Sequence, residues 1–261
     1  LVQVKNQMLI LNDGRTYYFN SNGDKVTKGG WYHINYDNMV FVTGGGSHYV
    51  KERIYKASGI FRKYSFNDSK KSWDMNKNLW KNTGRKLMYF DGSGTCTILY
   101  DQASNILYRY ISSSKSYKRV SNVIDKLNGS RYYFYDANGN RRTSSGWKKV
   151  NGSTAYYVCD GGYVTSRYTD QKGTKKVYDF DYSKNTWVQK KNMWKTVYRS
   201  RYYFGSKGVA TMSYNNSTKK AYKFTGRKWK PAKKLIMKIG NANYYFNSAA
   251  KRVVKAGKYK T

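Results

Sequence analysis

An internal repeat is the feature of this chain that most restricts its fold. The segment KYSFNDSKKSWDMNKNLW at residues 63–80 reappears 114 residues later as VYDFDYSKNTWVQKKNMW at residues 177–194, with eight of eighteen positions identical. The identical positions include both tryptophans of each segment. Self-similarity at a fixed period is the signature of a chain built from repeated structural units.

A shorter period of about 23 residues runs inside the longer one. Aromatic triplets such as Tyr17-Tyr18-Phe19, Tyr132-Tyr133-Phe134 and Tyr244-Tyr245-Phe246 mark it, and Asn, Asp and Gly follow them. Short alternating runs between turn residues indicate hairpins, and so short a unit leaves no room for a helix. The sequence predicts an all-β fold, an elongated β-hairpin solenoid with five units in each super-repeat of about 114 residues. We expect the inward Tyr and Phe side chains to form its core.

The repeat predicts a single array over residues 1–261, with copies at about 1–79, 80–193 and 194–261. The first and last copies are partial, and the chain ends in KAGKYKT, within a unit. We therefore interpret the chain as a fragment of a larger protein. No apolar run approaches the roughly 18 residues of a membrane span.

The segment 63–80 allows a second interpretation. Trp73 and Trp80 are seven residues apart and would share one face of a helix. Asn67-Asp68-Ser69 is typical of a turn, however, and Asn76 and Asn78 are poor helix formers. We expect a strand, a turn and a strand.

Charge is the most unusual property of the composition. The chain has 50 Lys and Arg against 14 acidic residues, a formal net charge of +36. Such a charge implies attraction to a polyanion, or solubility alone. The basic residues that we expect to contact a ligand are Lys148, Lys149, Lys190, Lys191 and Lys195. A solvated basic face would have the same pattern.

Nothing in the sequence indicates catalysis. The histidines, His33 and His48, have no carboxylate pattern around them, and acidic residues are too scarce to favour paired carboxylates. We expect no catalytic residue, no metal and no cofactor, and therefore not an enzyme. Cys96 and Cys159 are too few for a disulfide framework, and we expect two ordinary buried thiols.

Tryptophans are the best candidates for ligand contacts, because an indole face stacks on the C–H face of a sugar and gains about 1 kcal/mol or more. The aromatic residues that we expect to bind are Trp31, Trp73, Trp80, Trp147, Tyr156, Tyr157, Trp187, Trp194 and Trp229. Trp229 aligns with Tyr117 of the preceding copy. Core between hairpins is the alternative role for the tryptophans.

Three segments carry a resemblance to a known family. They are GWKKVNGSTAYYVCDGGYVTS at 146–166, GGWYHINYDNMVFVTGGG at 29–46 and GRTYYFNSNGDKVTKGGW at 14–31. Their Gly-Trp, Asn-Gly and Tyr-Tyr elements resemble the cell-wall-binding (choline-binding-like) repeats, which are similar to the glucan-binding repeats of secreted glucosyltransferases. The resemblance implies a β-hairpin solenoid that holds a secreted bacterial protein to a wall polymer or glycan.

The family's choline sites need three aromatic residues from consecutive repeats. The pairs that approach this arrangement are Trp147 with Tyr156 or Tyr157, and Trp31 with Tyr17 or Tyr18. The net charge of +36 argues against a cationic ligand such as choline.

The function that we expect is a non-catalytic binding module of a secreted or surface bacterial protein. Its partner would be a cell-wall polymer, such as a teichoic acid, or an extracellular polysaccharide, held by stacked aromatics and by Lys and Arg. One alternative is a structural or adhesive rod, or a surface-layer component. Another is a general polyanion binder, nucleic acid included, although no nucleic-acid-binding motif is present.

Overall fold

The computed structural model describes residues 3–129, 131–239 and 241–254. Within these ranges the one helical element is a 3-10 turn at Ser112–Ser114. All other regular elements are strands of three to eight residues, and each pairs antiparallel with a neighbour in sequence.

The strands form sheets of two and of five. In chain order, the first sheets are the hairpin β1 (Gln7–Ile10) and β2 (Thr16–Phe19), a sheet of β3 (Gly30–His33), β4 (Asn38–Val42), β5 (Val50–Ala57), β6 (Ile60–Asn67) and β7 (Ser72–Met75), and a sheet of β8 (Leu79–Asn82), β9 (Lys86–Phe90), β10 (Cys96–Asp101), β11 (Ile106–Ile111) and β12 (Ser116–Arg119). The next are the hairpin β13 (Val123–Lys126) and β14 (Tyr132–Tyr135), a sheet of β15 (Gly146–Lys149), β16 (Thr154–Val158), β17 (Val164–Gln171), β18 (Thr174–Asp181) and β19 (Thr186–Gln189), and a sheet of β20 (Met193–Val197), β21 (Ser200–Phe204), β22 (Ala210–Asn215), β23 (Ala221–Phe224) and β24 (Trp229–Pro231). The last is the hairpin β25 (Leu235–Ile239) and β26 (Ala242–Phe246).

The order of sheets repeats along the chain. A hairpin is followed by two five-stranded sheets, this set occurs twice, and a third hairpin begins it again. The prediction of an all-β chain of antiparallel hairpins is confirmed. The pairing adds one feature that the sequence did not suggest, because most strands join meanders of five rather than separate hairpins. The unit of about 23 residues and the solenoid stay predictions.

The segment 63–80 consists of the end of β6, a turn, β7, a second turn and the start of β8. Trp73 is on β7, the last strand of one sheet, and Trp80 is on β8, the first strand of the next. Their spacing of seven residues therefore reflects a sheet boundary, and the prediction of strand, turn and strand is confirmed.

The triplets supply much of the core, mainly through their third residue. Phe90, Phe204 and Phe246 are completely buried, and Phe134 and Phe180 are buried as well. The first residue of a triplet is in several cases only half-buried, as at Tyr64, Tyr132 and Tyr178. Because side chains alternate along a strand, the first and third residues of a triplet share one face, and the second points to the opposite face.

The described residues divide into two compact units. The first unit comprises the residues up to Ser121 together with Ala137–Asn140, and the second comprises Asn122–Asp136 and the residues from Arg141 onward. Cys96 is buried in the first unit, Cys159 is half-buried in the second, and both are free thiols.

We expect Phe90→Ala to lower the free energy of unfolding of the first unit by about 3–5 kcal/mol, because it leaves a cavity among buried side chains. Val188→Ala, at a side chain that is 44% exposed, should change stability by less than about 0.5 kcal/mol. Urea unfolding followed by tyrosine and tryptophan fluorescence measures both. Equal losses for the two variants would contradict this assignment of the core.

Candidate functional site

Each five-stranded sheet begins with a tryptophan that lies opposite an aromatic residue of the second strand. These four opening pairs, with the distances between ring centroids, are Trp31 and Phe41 (5.7 Å), Trp80 and Tyr89 (5.3 Å), Trp147 and Tyr157 (5.5 Å), and Trp194 and Tyr203 (5.6 Å). Directly opposite side chains on one face are the closest neighbours that a sheet offers.

Each five-stranded sheet also ends with an aromatic residue opposite an aromatic residue of the fourth strand. These closing pairs are Phe66 and Trp73 (5.3 Å), Tyr110 and Tyr117 (5.3 Å), Phe180 and Trp187 (4.9 Å), and Phe224 and Trp229 (5.3 Å). Tyr117 and Trp229 occupy the same place in their sheets, as their alignment in the sequence implies.

Two closing tryptophans have a guanidinium over one ring face. The carbon Cζ of Arg53 is 4.4 Å from the Trp73 ring centroid, and Cζ of Arg167 is 4.9 Å from that of Trp187. This cation–π contact covers a face that a sugar would otherwise use. Trp229 donates its indole N–H to the carbonyl oxygen of Gly173 (3.1 Å). The packing of the three closing tryptophans favours a structural role, and ligand contact by Trp73, Trp187 and Trp229 stays a prediction.

Tyr156 and Tyr157 are adjacent on β16 and therefore point to opposite faces. Tyr157 pairs with Trp147, whereas Tyr156 lies 6.0 Å from Trp187 and packs against a buried cluster. In the first unit, the ring neighbour of Tyr18 is Tyr32, at 5.8 Å. Of the two tyrosines considered for Trp147, the structure thus brings Tyr157 to it.

The opening pair of Trp147 and Tyr157 forms part of a cleft of the second unit, with a volume of about 520 Å³. Its lining residues are Trp147, Tyr157, Thr165, Ser166, Lys195, Thr196 and Tyr198. Trp147 donates its indole N–H to the carbonyl oxygen of Thr196 (3.0 Å), which fixes the orientation of the ring. Its ring centroid is 6.4 Å from that of Tyr198, so the two rings form an angled aromatic surface.

A carboxylate on β18 holds the basic residue of this cleft. Asp179 accepts a hydrogen bond from Ser166 (2.6 Å) and pairs with Lys195 (3.1 Å) and Lys190 (3.5 Å). Burial alone would raise the pKa of Asp179, but the hydrogen bond from Ser166 and the charges of Lys195 and Lys190 outweigh it, and the pKa lies below its ordinary value. Lys195 therefore has a counter-charge within the protein, which it shares with Lys190.

Tyr198 has a backbone conformation that tyrosine rarely adopts. Its φ is +54°, in the left-handed region, and 49% of its surface is exposed. Holding a bulky residue there costs about 1 kcal/mol or more, and such residues cluster at functional sites.

The sequence analysis missed Tyr198, Ser166 and Asp179. The available signal was a departure from the repeat, since the position 114 residues before Tyr198 is Gly84.

The equivalent region of the first unit has its carboxylate on the neighbouring strand. Glu52 is on β5 opposite Ser65 of β6, whereas Ser166 is on β17 opposite Asp179 of β18. The acid and the serine have exchanged places across the strand pair. Two lysines still surround the carboxylate, because Glu52 pairs with Lys81 (2.6 Å) and with the buried Lys63 (3.4 Å).

This exchange changes the environment of the opening tryptophan. With the carboxylate on β5, the Lys81 ammonium lies 5.2 Å from the Trp31 ring centroid and 5.7 Å from that of Phe41. Gly84 also provides no aromatic wall where the second unit has Tyr198. The aromatic cleft around Trp147 therefore has no equal counterpart around Trp31.

The remaining predicted residues lie in varied surroundings. Trp80 and Trp194 are half-buried in their opening pairs. Lys148 donates a hydrogen bond to Ser144 Oγ (3.0 Å), and Lys191 is exposed. Lys149 is exposed and lines a recess of about 190 Å³ that shares Tyr198 with the larger cleft. The structure thus joins Trp147, Tyr157 and Lys195 in one cleft and leaves the other predicted residues outside it.

The described ranges contain no group of three or more His, Cys, Asp or Glu side chains able to hold a metal ion. Within the same ranges, no helix is long and apolar enough to cross a membrane.

Comparison with known proteins gave a sequence relative but no family. No family model matches the chain. A glucosyltransferase-I of Streptococcus downei is 26% identical over 245 residues, which cover 79% of this chain and 14% of the relative. The chain thus spans about a seventh of that relative.

Searches of solved structures gave likenesses with low TM-scores. An alternansucrase in complex with isomaltononaose has 15% identity and a TM-score of 0.28, over 94% of this chain and 16% of that chain. The protein CbpJ of Streptococcus pneumoniae has 16% identity and a TM-score of 0.22, over 94% and 92% of the two chains. The modular autolysin LytC of S. pneumoniae has 17% identity and a TM-score of 0.22, over 97% and 49%. TM-scores this low do not establish a shared three-dimensional arrangement.

We expect the second unit to stay stable when the acidic residue is moved from position 179 to position 166 and serine takes its place. Removal of the acidic residue alone should destabilise the unit. Asp179→Ser should lower the free energy of unfolding by about 1–2 kcal/mol, because Lys190 and Lys195 lose a carboxylate that is 35% exposed and so partly screened. Adding Ser166→Glu should restore most of that loss, since it recreates the arrangement of Glu52 and Ser65.

Urea unfolding of both variants checks this prediction, with exposed Asp160→Ser as the control for the removal of one acidic residue. A double variant no more stable than Asp179→Ser alone would show that the two arrangements are not interchangeable.

Proposed function

We propose that this chain is a non-catalytic carbohydrate-binding module of a secreted or cell-surface bacterial protein. Its second unit would hold a neutral sugar ring of an extracellular polysaccharide, a glucan by preference, in the cleft of Trp147, Tyr157 and Tyr198. The stacking of the hairpins into a solenoid belongs to the same proposal.

The aromatic surface of the cleft is the observation that carries this proposal. Trp147 and Tyr198 present rings to a cleft whose other lining residues include Thr165 and Ser166. Sugar sites combine an apolar ring face with a few hydroxyl and amide partners, because a sugar has C–H faces and hydroxyl edges. Because Lys195 already has a carboxylate partner, its charge favours a polyanion less than an unpaired lysine would, and we propose an uncharged ligand for this cleft.

The sequence relative supports the same class of ligand. That protein is a glucosyltransferase, and this chain matches only a small part of its length. A segment of an enzyme that handles glucosyl units can serve to hold its polymer. We extend this to the present chain and propose binding without catalysis, because Asp179, the carboxylate beside the cleft, is already held by Ser166 and two lysines.

A charged wall polymer such as a teichoic acid is the second candidate. The net charge of +36 favours it, and exposed lysines such as Lys149 and Lys191 could contact phosphates at regular intervals. Such binding would be sensitive to salt, because exposed charges are screened. Stacking in the cleft would depend on salt only weakly.

We expect Tyr198→Gly to weaken binding of a soluble glucan about tenfold, because it removes one ring from the cleft. Glycine occurs at the equivalent position 84, and the left-handed backbone conformation favours it, so the fold should be retained. Isothermal titration with dextran across a salt series measures the affinity.

Ile236→Ala, which shortens a side chain that is 59% exposed, is the control for a change of apolar surface. Parallel pull-downs use walls with and without teichoic acid. Absence of glucan binding by the wild-type protein, combined with salt-sensitive binding that needs teichoic acid, would replace the leading proposal by the second. Absence of both would favour a structural rod, and comparable binding of DNA would favour a general polyanion binder.

A further inference from the structure

A second cleft, in the first unit, has a different chemical character. Its volume is about 370 Å³, within the ordinary range of ligand sites. The lining residues are His33, Asn35, Tyr36, Arg85, Lys86, Asp101 and Ala103. None of them was singled out as a ligand contact from the sequence.

Lys86 is the unusual residue of this cleft, because it is a cation that is only 3% exposed. Its ammonium donates a hydrogen bond to the carbonyl oxygen of Tyr36 (2.6 Å) and lies 3.5 Å from the centroid of the Tyr36 ring. A second ring, that of Phe61, is 5.0 Å away. The carbonyl oxygen of Tyr36 and the two rings stabilise the ammonium group but do not neutralise its charge. It has three N–H donors, of which the Tyr36 carbonyl takes one.

The nearby carboxylates, Asp37 and Asp101, have other partners and form no ion pair with Lys86. Asp37 pairs with Lys56 (3.7 Å), and Asp101 Oδ1 accepts the backbone N–H groups of Ala103 and Ser104 (3.0 and 3.1 Å). Within the described part of the chain, Lys86 has no ion pair. Burial lowers its pKa to about 8, even though Asp37 and Asp101 act to raise it. A buried charge without a counter-charge is costly, and a bound anion would relieve that cost.

Two further groups make the cleft suited to an anion. Arg85 is exposed at its edge, and its guanidinium forms no ion pair with any residue that the structure describes. His33 lies with Nε2 3.5 Å from the carbonyl oxygen of Thr83. Burial, above all, lowers the pKa of His33, and the charges of Arg85 and Lys86 add to this against the effect of the Thr83 carbonyl. A neutral His33 can contribute a hydrogen bond, while Arg85 and Lys86 contribute charge.

The second unit forms the equivalent strand without a lysine. At the positions 114 residues on, the second unit has Ser200 for Lys86 and Arg199 for Arg85. When the opening strands are aligned on Trp31 and Trp147, Gly152 stands at the position of Tyr36. Strand β21 still begins at Ser200, as β9 begins at Lys86. A serine is therefore sufficient to begin the strand in the second unit, so strand formation does not account for a buried, unpaired lysine beneath a tyrosine that is 61% exposed.

We infer that this cleft binds an acidic group, a carboxylate, sulfate or phosphate, carried by an anionic glycan or wall polymer. Lys86 and Arg85 hold the anion through charge-assisted hydrogen bonds, and the exposed ring of Tyr36 contacts the adjoining sugar or glycerol unit. This site does not depend on the glucan proposal for the second unit.

The test is titration of the whole chain with inorganic sulfate, followed by isothermal calorimetry and by the NMR signal of the Lys86 side chain. Lys86→Ser, the residue of the other unit, should weaken binding about tenfold or more, and so should Lys86→Met. Arg199→Ala is the matched control, because it removes one exposed charge where no buried lysine adjoins it. Equal weakening by Arg199→Ala, or unchanged binding by both Lys86 variants, would overturn the inference.

Affinity for sulfate should also fall as the pH rises from about 7 to about 9, since Lys86 then loses the proton that the anion requires. The titratable groups that face or influence Lys86 are His33, Tyr36, Asp37, Lys56, Arg85, Cys96 and Asp101. The Lys86→Met variant separates the titration of Lys86 from that of the other groups, because the fall in sulfate affinity should disappear in that variant. A fall that persists in Lys86→Met would overturn the assignment to Lys86.

Two polymers then distinguish the source of the anion. A uronate polymer supplies carboxylates, and a poly(glycerol phosphate) supplies phosphodiesters. The polymer whose binding weakens with Lys86→Ser but not with Arg199→Ala is the one that the cleft takes. If both polymers and DNA bind with no difference between these variants, the charge of the whole chain suffices and the inference fails.

Discussion

The cross-strand aromatic pair is the interaction on which this structure depends. The strands are too short to bury a wide apolar face, and one hairpin alone is at best marginally stable. Each five-stranded sheet therefore has an aromatic pair at its first two strands and another at its last two. Rings at these distances stabilise a sheet beyond the area that they bury, by about 0.5–1.5 kcal/mol for each pair. A chain with few aliphatic residues needs so many aromatics for this reason.

The same pairs limit what the tryptophans can do for a ligand. A closing tryptophan covered by Arg53 or Arg167 has one ring face occupied by a guanidinium. An opening tryptophan keeps a face available only if no lysine lies over it. The two units differ in the strand that carries the carboxylate beside this lysine. In the first unit Lys81 pairs with Glu52 on β5, and its ammonium lies over the Trp31 ring. In the second unit Lys195 pairs with Asp179 on β18 and lines the cleft of Trp147. Identical sheet topology thus produces tryptophan environments that differ in chemistry.

Repetition made the strands predictable from the sequence and left the sites unpredictable. Positions that match between copies, such as Trp73 and Trp187, are those where packing demands the same residue, so they identify strands and core. The sites arise where copies differ. Tyr198 stands where the other unit has Gly84, and Tyr36 stands where the other has Gly152. A search for identities passes over these positions, and only the structure shows that each tyrosine closes a cleft.

The charge of the chain acts at two ranges, and the structure separates them. Exposed lysines attract a polyanion over a distance that physiological salt limits to about 8 Å, so most of the +36 is not felt at any one cleft. What a bound acidic group experiences is the local set of charges. Beside Trp147 the lysine has its carboxylate, and the cleft suits an uncharged ring. Beneath Tyr36 the lysine has none, is buried, and gains from an anion what water can no longer supply. On the proposals made above, net charge favours approach to a polymer, while the charges beside each cleft, Asp179 with Lys195 and the unpaired Lys86, favour the group that the cleft would accept.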